Sequence, residues 1–124
     1  LVGSEMCIRD RYYRGTFEKC VKLKKITSSS LANVGKYDFK DCTRLESITL
    51  GKNLKSIGDS AFNNNRKLKS VNIKSTKLSK VGKSAFSKIY SKAKFTVPKS
   101  KLKKYKKLIK SNGKAPKNVK FIAK

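Results

Sequence analysis

A repeat solenoid is the fold class this sequence predicts, and three observations predict it. The segment Val34-Gly35-Lys36-Tyr37-Asp38-Phe39 returns as Ile57-Gly58-Asp59-Ser60-Ala61-Phe62 and as Val81-Gly82-Lys83-Ser84-Ala85-Phe86, with Phe-to-Phe steps of 23 and 24 residues. A period of this size marks a chain in which each repeat is one coil stacked on the last. Apolar columns keep register with the phenylalanine: Cys42, Leu45, Ile48, Leu50, Leu54 and Ile57 follow Phe39, and Asn65, Leu68, Val71 and Ile73 stand at the same offsets after Phe62. Within each coil the pattern ends in an apolar–polar alternation, as in Ser47-Ile48-Thr49-Leu50, which is the signal of a half-buried strand.

The elements follow in chain order. Residues 1–11, LVGSEMCIRDR, fit no column and carry no signal-peptide core. They resemble the conceptual translation of a sequencing adapter, which makes the chain a C-terminal fragment whose signal peptide and earlier coils are lost. The alternative is a genuine disordered leader. Residues 12–98 form about three and a half coils. Phe17 heads the first with Cys20, Leu23, Ile26, Leu31 and Val34 behind it, and Tyr12 precedes Phe17 as Val34 precedes Phe39. In the third coil Leu78 and Val81 come one residue late, a slip assigned to a loop, where slips are tolerated. The last coil keeps Ile89, Phe95 and Val97 but lacks its leucine near Lys92.

Corresponding strands lie side by side about 4.8 Å apart in a short parallel sheet, with turn or 3-10 segments opposite. Phe17, Phe39, Phe62 and Phe86 form one column. It is read as core packing rather than as a platform for stacking a ligand, because spaced phenylalanine in a repeat ordinarily fills the interior. Residues 99–124 are a basic cap. A helix over about 100–111 starts at Ser100, buries Leu102, Tyr105, Leu108 and Ile109 on one face and stops at Asn112-Gly113. A short strand over about 119–122 then closes the open sheet edge.

The pattern apolar-x-x-Ile-Gly-x-x-Ala-Phe-x-x-Cys/Asn-x-x-Leu-x-x-Ile-x-Leu resembles the BspA-like type of bacterial leucine-rich repeat, over about residues 12–98. Arg14-Gly15-Thr16-Phe17 departs from that wording, as does Lys92, and degenerate end coils are expected of caps. The resemblance implies a leucine-rich-repeat-like fold in a secreted or cell-surface bacterial protein whose concave sheet binds host or matrix ligands. It brings no catalytic residue with it, and fold alone does not fix function.

Composition limits the chemistry. The formal net charge is +26, and the tail from Pro98 to Lys124 holds eleven lysines and no acid. There is no histidine, and the seven acidic residues are scattered. Histidine acid–base work, catalytic triads and most zinc sites are therefore excluded, and the expectation is a non-enzymatic module without cofactor or metal. No stretch approaches the roughly 20 apolar residues of a membrane span. Cys20 and Cys42 share one column of adjacent coils. They read either as two buried thiols packing like small apolar residues, the favoured reading, or as a ladder disulfide.

Two surfaces are candidate binding sites. The outward columns of the sheet are Lys25/Ser47/Ser70/Lys94 and Thr27/Thr49/Asn72/Thr96. Ser47, Thr49, Ser70, Asn72, Lys94 and Thr96 are the expected contacts for a protein or glycan ligand. The second surface is the lysine set of the cap, Lys101, Lys103, Lys104, Lys106, Lys107 and Lys110, which suits anionic cell-wall polymer, anionic lipid headgroups or sulfated glycan. Like charges at this helical spacing cost about 0.2–0.5 kcal/mol per pair, a cost a polyanion relieves. The competing reading is a solvated face that keeps the domain soluble. Specific nucleic-acid reading is not expected, because arginine is scarce and the aromatics fall in core columns. A purely structural spacer and cap is the third reading.

Overall fold

A computed structural model describes the backbone of Val2 and Gly3 and residues 17–124. The rest of the leader, Tyr12 and Arg14-Gly15-Thr16 lie outside the described residues. In chain order the strands are β1 (Val2–Gly3), β2 (Lys25–Ser28), β3 (Asn33–Val34), β4 (Ser47–Leu50), β5 (Ser56–Ile57), β6 (Ser70–Ile73), β7 (Lys80–Val81), β8 (Lys94–Val97) and β9 (Lys120–Ala123). Helix α1 (Leu102–Ser111) lies between β8 and β9, behind a 3-10 turn at Lys99–Lys101.

The four-residue strands alternate as their residues dictate. Ile26, Ile48, Val71 and Phe95 point into the core, and Leu50, Ile73 and Val97 follow them inward two residues later. They form one sheet in the order β1-β2-β4-β6-β8-β9, parallel except for β1. On another side of each coil, β3, β5 and β7 make a second parallel sheet of two-residue strands through Val34, Ile57 and Val81. The repeat pattern placed these valines and isoleucines in the core without marking them as strands.

A third ladder runs along the turns that hold the phenylalanines. The N–H groups of Tyr37, Phe39 and Asp41 donate to the carbonyls of Asp59, Ala61 and Asn63 at 3.1, 2.8 and 2.9 Å. Ser60, Phe62 and Asn64 donate in the same way to Lys83, Ala85 and Ser87. The residues two before and two after each phenylalanine take left-handed φ: 63° and 61° at Tyr37 and Asp41, 54° and 63° at Ser60 and Asn64, 59° and 61° at Ser84 and Lys88. Alternating the hand of successive residues turns their N–H groups to one side, here toward the next coil.

Among the described residues no glycine has positive φ, so the motif glycine serves another purpose. A Cβ at Gly58 would stand 2.6 Å from the Lys36 nitrogen and 2.7 Å from the Gly35 carbonyl carbon. Only the missing side chain lets adjacent coils approach to hydrogen-bonding distance. Inside them the phenyl rings stack nearly parallel: centroids are 5.3 Å apart from Phe17 to Phe39, 5.2 Å from Phe39 to Phe62 and 5.4 Å from Phe62 to Phe86. Phe95 ends the stack edge-on at 5.1 Å and 88°. Buried Ala93 fills the space beside Lys92, where the leucine is missing. Cys42 is a buried thiol outside any disulfide that donates to the Phe17 carbonyl at 3.1 Å. Cys20 is disulfide-bonded, but not to Cys42, so the two do not form the ladder bridge and Cys20 is not a free thiol.

The cap imitates a further coil. β9 continues the main sheet beside β8, and the carbonyls of Asn112 and Gly113 accept the Ser84 and Phe86 N–H groups, each at 2.8 Å. Ser100 does not cap the helix. Pro98, with φ fixed near −61°, leads into the 3-10 turn instead, and α1 begins behind Lys101 with no side-chain cap.

The one-residue slip in the third coil falls in the loop between β6 and β7, as expected, with Lys74, Thr76 and Lys77 exposed and Ser75 buried. Its extra residue opens the turn between Ile73 and Leu78, and α1 fills the gap with Tyr105. The Tyr105 hydroxyl donates to the Ser75 carbonyl at 2.6 Å and accepts from the Leu78 N–H at 3.1 Å. Ser75 itself donates to the Leu54 carbonyl at 2.6 Å and accepts the Lys77 N–H at 2.9 Å. The buried hydroxyls of Ser75 and Tyr105 are thus both paired, as burial requires. Burial pushes the Tyr105 phenol above its ordinary pKa, partly offset by the Leu78 N–H.

Two predictions follow from this packing. Gly58→Ala should lower stability by about 1–3 kcal/mol, the range for overpacking, in urea unfolding followed by circular dichroism; an unchanged midpoint would contradict the close approach. Tyr105→Phe should lose about 1–3 kcal/mol at neutral pH through unpaired Ser75 and Leu78 groups. The folded phenol keeps its proton where the unfolded one ionises, so the Tyr105 contribution is full below about pH 10 and falls above it. Between about pH 10 and 11 the wild type should therefore lose stability more steeply than the phenylalanine variant; equal slopes would contradict the burial.

Candidate functional site

The parallel register carries the alternation from coil to coil without a shift. Lys25 pairs with Ser47, Ser47 with Ser70, Ser70 with Lys94 and Lys94 with Lys120. Two residues on, Thr27, Thr49, Asn72, Thr96 and Ile122 form the parallel row. Residues one apart on a strand face opposite sides, so both rows lie on the side away from the core. Lys25, Thr27, Ser70 and Lys94 are exposed, while Ser47, Thr49, Asn72 and Thr96 are half-buried. The structure brings all six residues expected from the sequence onto one surface. At about 4.8 Å between strands, each row is a continuous line of polar side chains.

Two residues of this face were missed. Lys120 and Ile122 extend both rows onto β9, and Ile122 is an exposed apolar side chain on an otherwise polar surface. The signal was present in Lys120-Phe121-Ile122-Ala123. Phe121 stacks on Phe95 at 5.2 Å, so Phe121 is the inward residue and its neighbours face out.

The lysines of the cap form a separate surface. Tyr105 and Ile109 are buried, with Leu102 and Leu108 packed beside them, which leaves the rest of α1 to solvent. Lys103, Lys104, Lys106, Lys107 and Lys110 are exposed there, and Lys101 is half-buried in the 3-10 turn. The Lys106 ammonium lies 6.0 Å from the centre of the Phe121 ring, and Lys110 donates to the Lys117 carbonyl at 3.4 Å. α1 packs on β7 and β9, so its lysines top the end of the stack and belong to a different element from the polar rows.

A second basic set lies nearer those rows. Lys52 and Lys74, in the loops that follow β4 and β6, and Lys124, directly after β9, line hollows shared with Thr49, Asn72 and Thr96. They were not singled out from sequence because they stand at unequal offsets from the repeat. Among the described residues no group of three or more His, Cys, Asp or Glu comes together to hold a metal, and no helix is long and apolar enough to cross a membrane.

Comparison with known proteins agrees with this geometry. A family model described as a BspA-type leucine-rich repeat region matches residues 11–122, in six copies. No curated protein and no solved structure matches the chain significantly.

Proposed function

The chain belongs to the BspA-type leucine-rich repeat family, and on that premise we propose that it is a non-enzymatic interaction module of a longer bacterial protein, secreted or attached to the cell wall. It binds a protein or glycan ligand through the outward sheet face. The observation that carries this reading is the unbroken register of the two polar rows. Ser47, Thr49, Ser70, Asn72, Lys94 and Thr96 form a rigid surface with hydroxyl, amide and ammonium groups at fixed spacing. A preorganised surface binds without the ordering cost of flexible side chains and loops. Ser70 lies at its centre, flanked by Ser47 and Lys94.

A second reading rests on α1. Lys101, Lys103, Lys104, Lys106, Lys107 and Lys110 are held by a helix anchored through Tyr105, in a segment with no acidic residue. Such a surface suits attachment to an anionic cell-wall polymer. The cap also has a structural part, since Asn112, Gly113 and β9 complete two backbone ladders.

The two readings separate experimentally. On an array of extracellular-matrix proteins and glycans, the wild-type chain should be retained by at least one component. Ser70→Asp should abolish that retention with an unchanged circular dichroism spectrum, and undiminished retention by the variant would refute the sheet face. Retention on purified Gram-positive cell walls should instead collapse above about 0.5 M salt, where screening shortens to a few ångström, and on removal of the anionic polymer. Salt-insensitive retention would refute wall anchoring through the lysines.

A further inference from the structure

Two hollows open side by side where the outward face meets the loops that follow the strands. One, of about 370 Å³, is lined in part by Thr27, Thr49, Lys52 and Lys74. The other, of about 460 Å³, is lined in part by Lys52, Asn72, Lys74, Thr96 and Lys124. Lys52 and Lys74 line both, so the hollows adjoin across this pair of lysines; taken together as a groove, they run along the strand ends from β2 to the end of β9. Among the described residues no acidic side chain lines it. The hollow of about 330 Å³ beside the C-terminal end of α1, by contrast, is lined by Asp59 as well as lysines.

The register fixes where the charges stand. Leu50 pairs with Ile73 and Val97 with Ala123, so Gly51, Lys74, Pro98 and Lys124 follow one another in a single row. Lys74 and Lys124 are two coils apart in that row, about 10 Å at the spacing of parallel strands. Lys52 stands one coil before Lys74 and one residue further along the loop. At Gly51 the floor is bare backbone, because a Cβ there would lie 2.7 Å from the Ser29 carbonyl oxygen. Beside the lysines run Thr49, Asn72 and Thr96, half-buried and fixed by the sheet.

This combination selects a ligand chemistry. Ammonium groups on successive coils attract a chain with regularly placed negative groups. Hydroxyl and amide side chains between them match the hydroxyl and ring oxygens of sugars. Among the described residues neither an aromatic side chain nor an arginine lines the groove, so these residues offer no stacking or bidentate contacts of the kind that suit nucleic acid. We propose that the groove binds a linear anionic glycan, a sulfated or uronic-acid polysaccharide, laid across the strands. Lys52, Lys74 and Lys124 meet its acidic groups, and Thr49, Asn72 and Thr96 meet its hydroxyls. The proposal rests on the sheet-face reading and narrows it to one ligand class and one flank of the face.

The test is calorimetric titration of the full chain in about 0.15 M salt with a heparin octasaccharide and with a single-stranded DNA oligomer of equal charge. Lys52→Gln with Lys74→Gln should weaken octasaccharide binding about tenfold and reduce the salt dependence by about two counterions. The same change in net charge at the opposite ends of the strands, Lys67→Gln with Lys92→Gln, both exposed and outside either candidate surface, should weaken it less than about threefold. Thr49→Val with Asn72→Leu leaves the charge unaltered; it should weaken octasaccharide binding severalfold and leave DNA binding unchanged. Equal losses from the two lysine pairs, or DNA binding that follows the octasaccharide through every variant, would overturn the groove in favour of non-specific attraction. Ser70→Asp, outside the groove, separates this proposal from the broader one. If it abolishes binding while the groove variants bind normally, the sheet face stands and the groove falls. If neither it nor the groove variants alter binding, both fall.

Discussion

Every feature of this molecule depends on adjacent coils approaching to the distance of one backbone hydrogen bond along three ladders at once. The main sheet, the two-residue strands and the left-handed turns around the phenylalanines each set the same spacing. The glycine at Gly58, where a Cβ would stand 2.6 Å from the neighbouring backbone, is the local condition for it. Once that spacing is set, each column repeats with strand periodicity. Rings stack at about the same interval as the strands, and outward residues form lines instead of scattered points. The surface proposed for binding is thus a consequence of the stacking, and it suits a ligand whose own features extend along the stack.

Charge works against this geometry. With a net charge of +26, lysines recur in the same rows: Lys94 pairs directly with Lys120 on the outward face. Directly opposed like charges destabilise a sheet. Lysines at three- and four-residue spacing on α1 have the same effect on a helix. The core carries this load through the phenylalanine column and the buried Tyr105 linkage, and bound anions would relieve it. An extended polyanion is the occupant that this distribution of charge favours, whether it lies on the cap or across the groove.

The coil repeat was legible because a parallel, in-register solenoid translates sequence offset directly into spatial neighbourhood. The columns of Ser47, Ser70 and Lys94 and of Thr49, Asn72 and Thr96 could be written down from the strings alone, and the strand pairing reproduces them residue by residue. What escaped has physical reasons. Two-residue strands such as β5 are too short to show a period. The slip before Leu78 reads as a loop insertion and is one, but the string does not show that Tyr105, 27 residues away, bonds to it. Lys120 and Ile122 extend the face from a cap whose wording departs from the repeat. Ser100 has the chemistry of a helix cap, yet Pro98 starts a tighter turn and moves the helix two residues on. Lys52, Lys74 and Lys124 come together because each follows a strand at the same end of the sheet, which their unequal offsets from the repeat hide.

The central claim is that binding belongs to the outward face and its basic flank. Amide chemical-shift mapping of the isotopically labelled chain, titrated with a sulfated oligosaccharide, tests it most directly. The account predicts that saturable shifts gather at Thr49, Lys52, Ser70, Asn72, Lys74 and Thr96, with α1 little affected. Shifts confined to the lysines of α1, or spread evenly over every lysine of the surface, would contradict it.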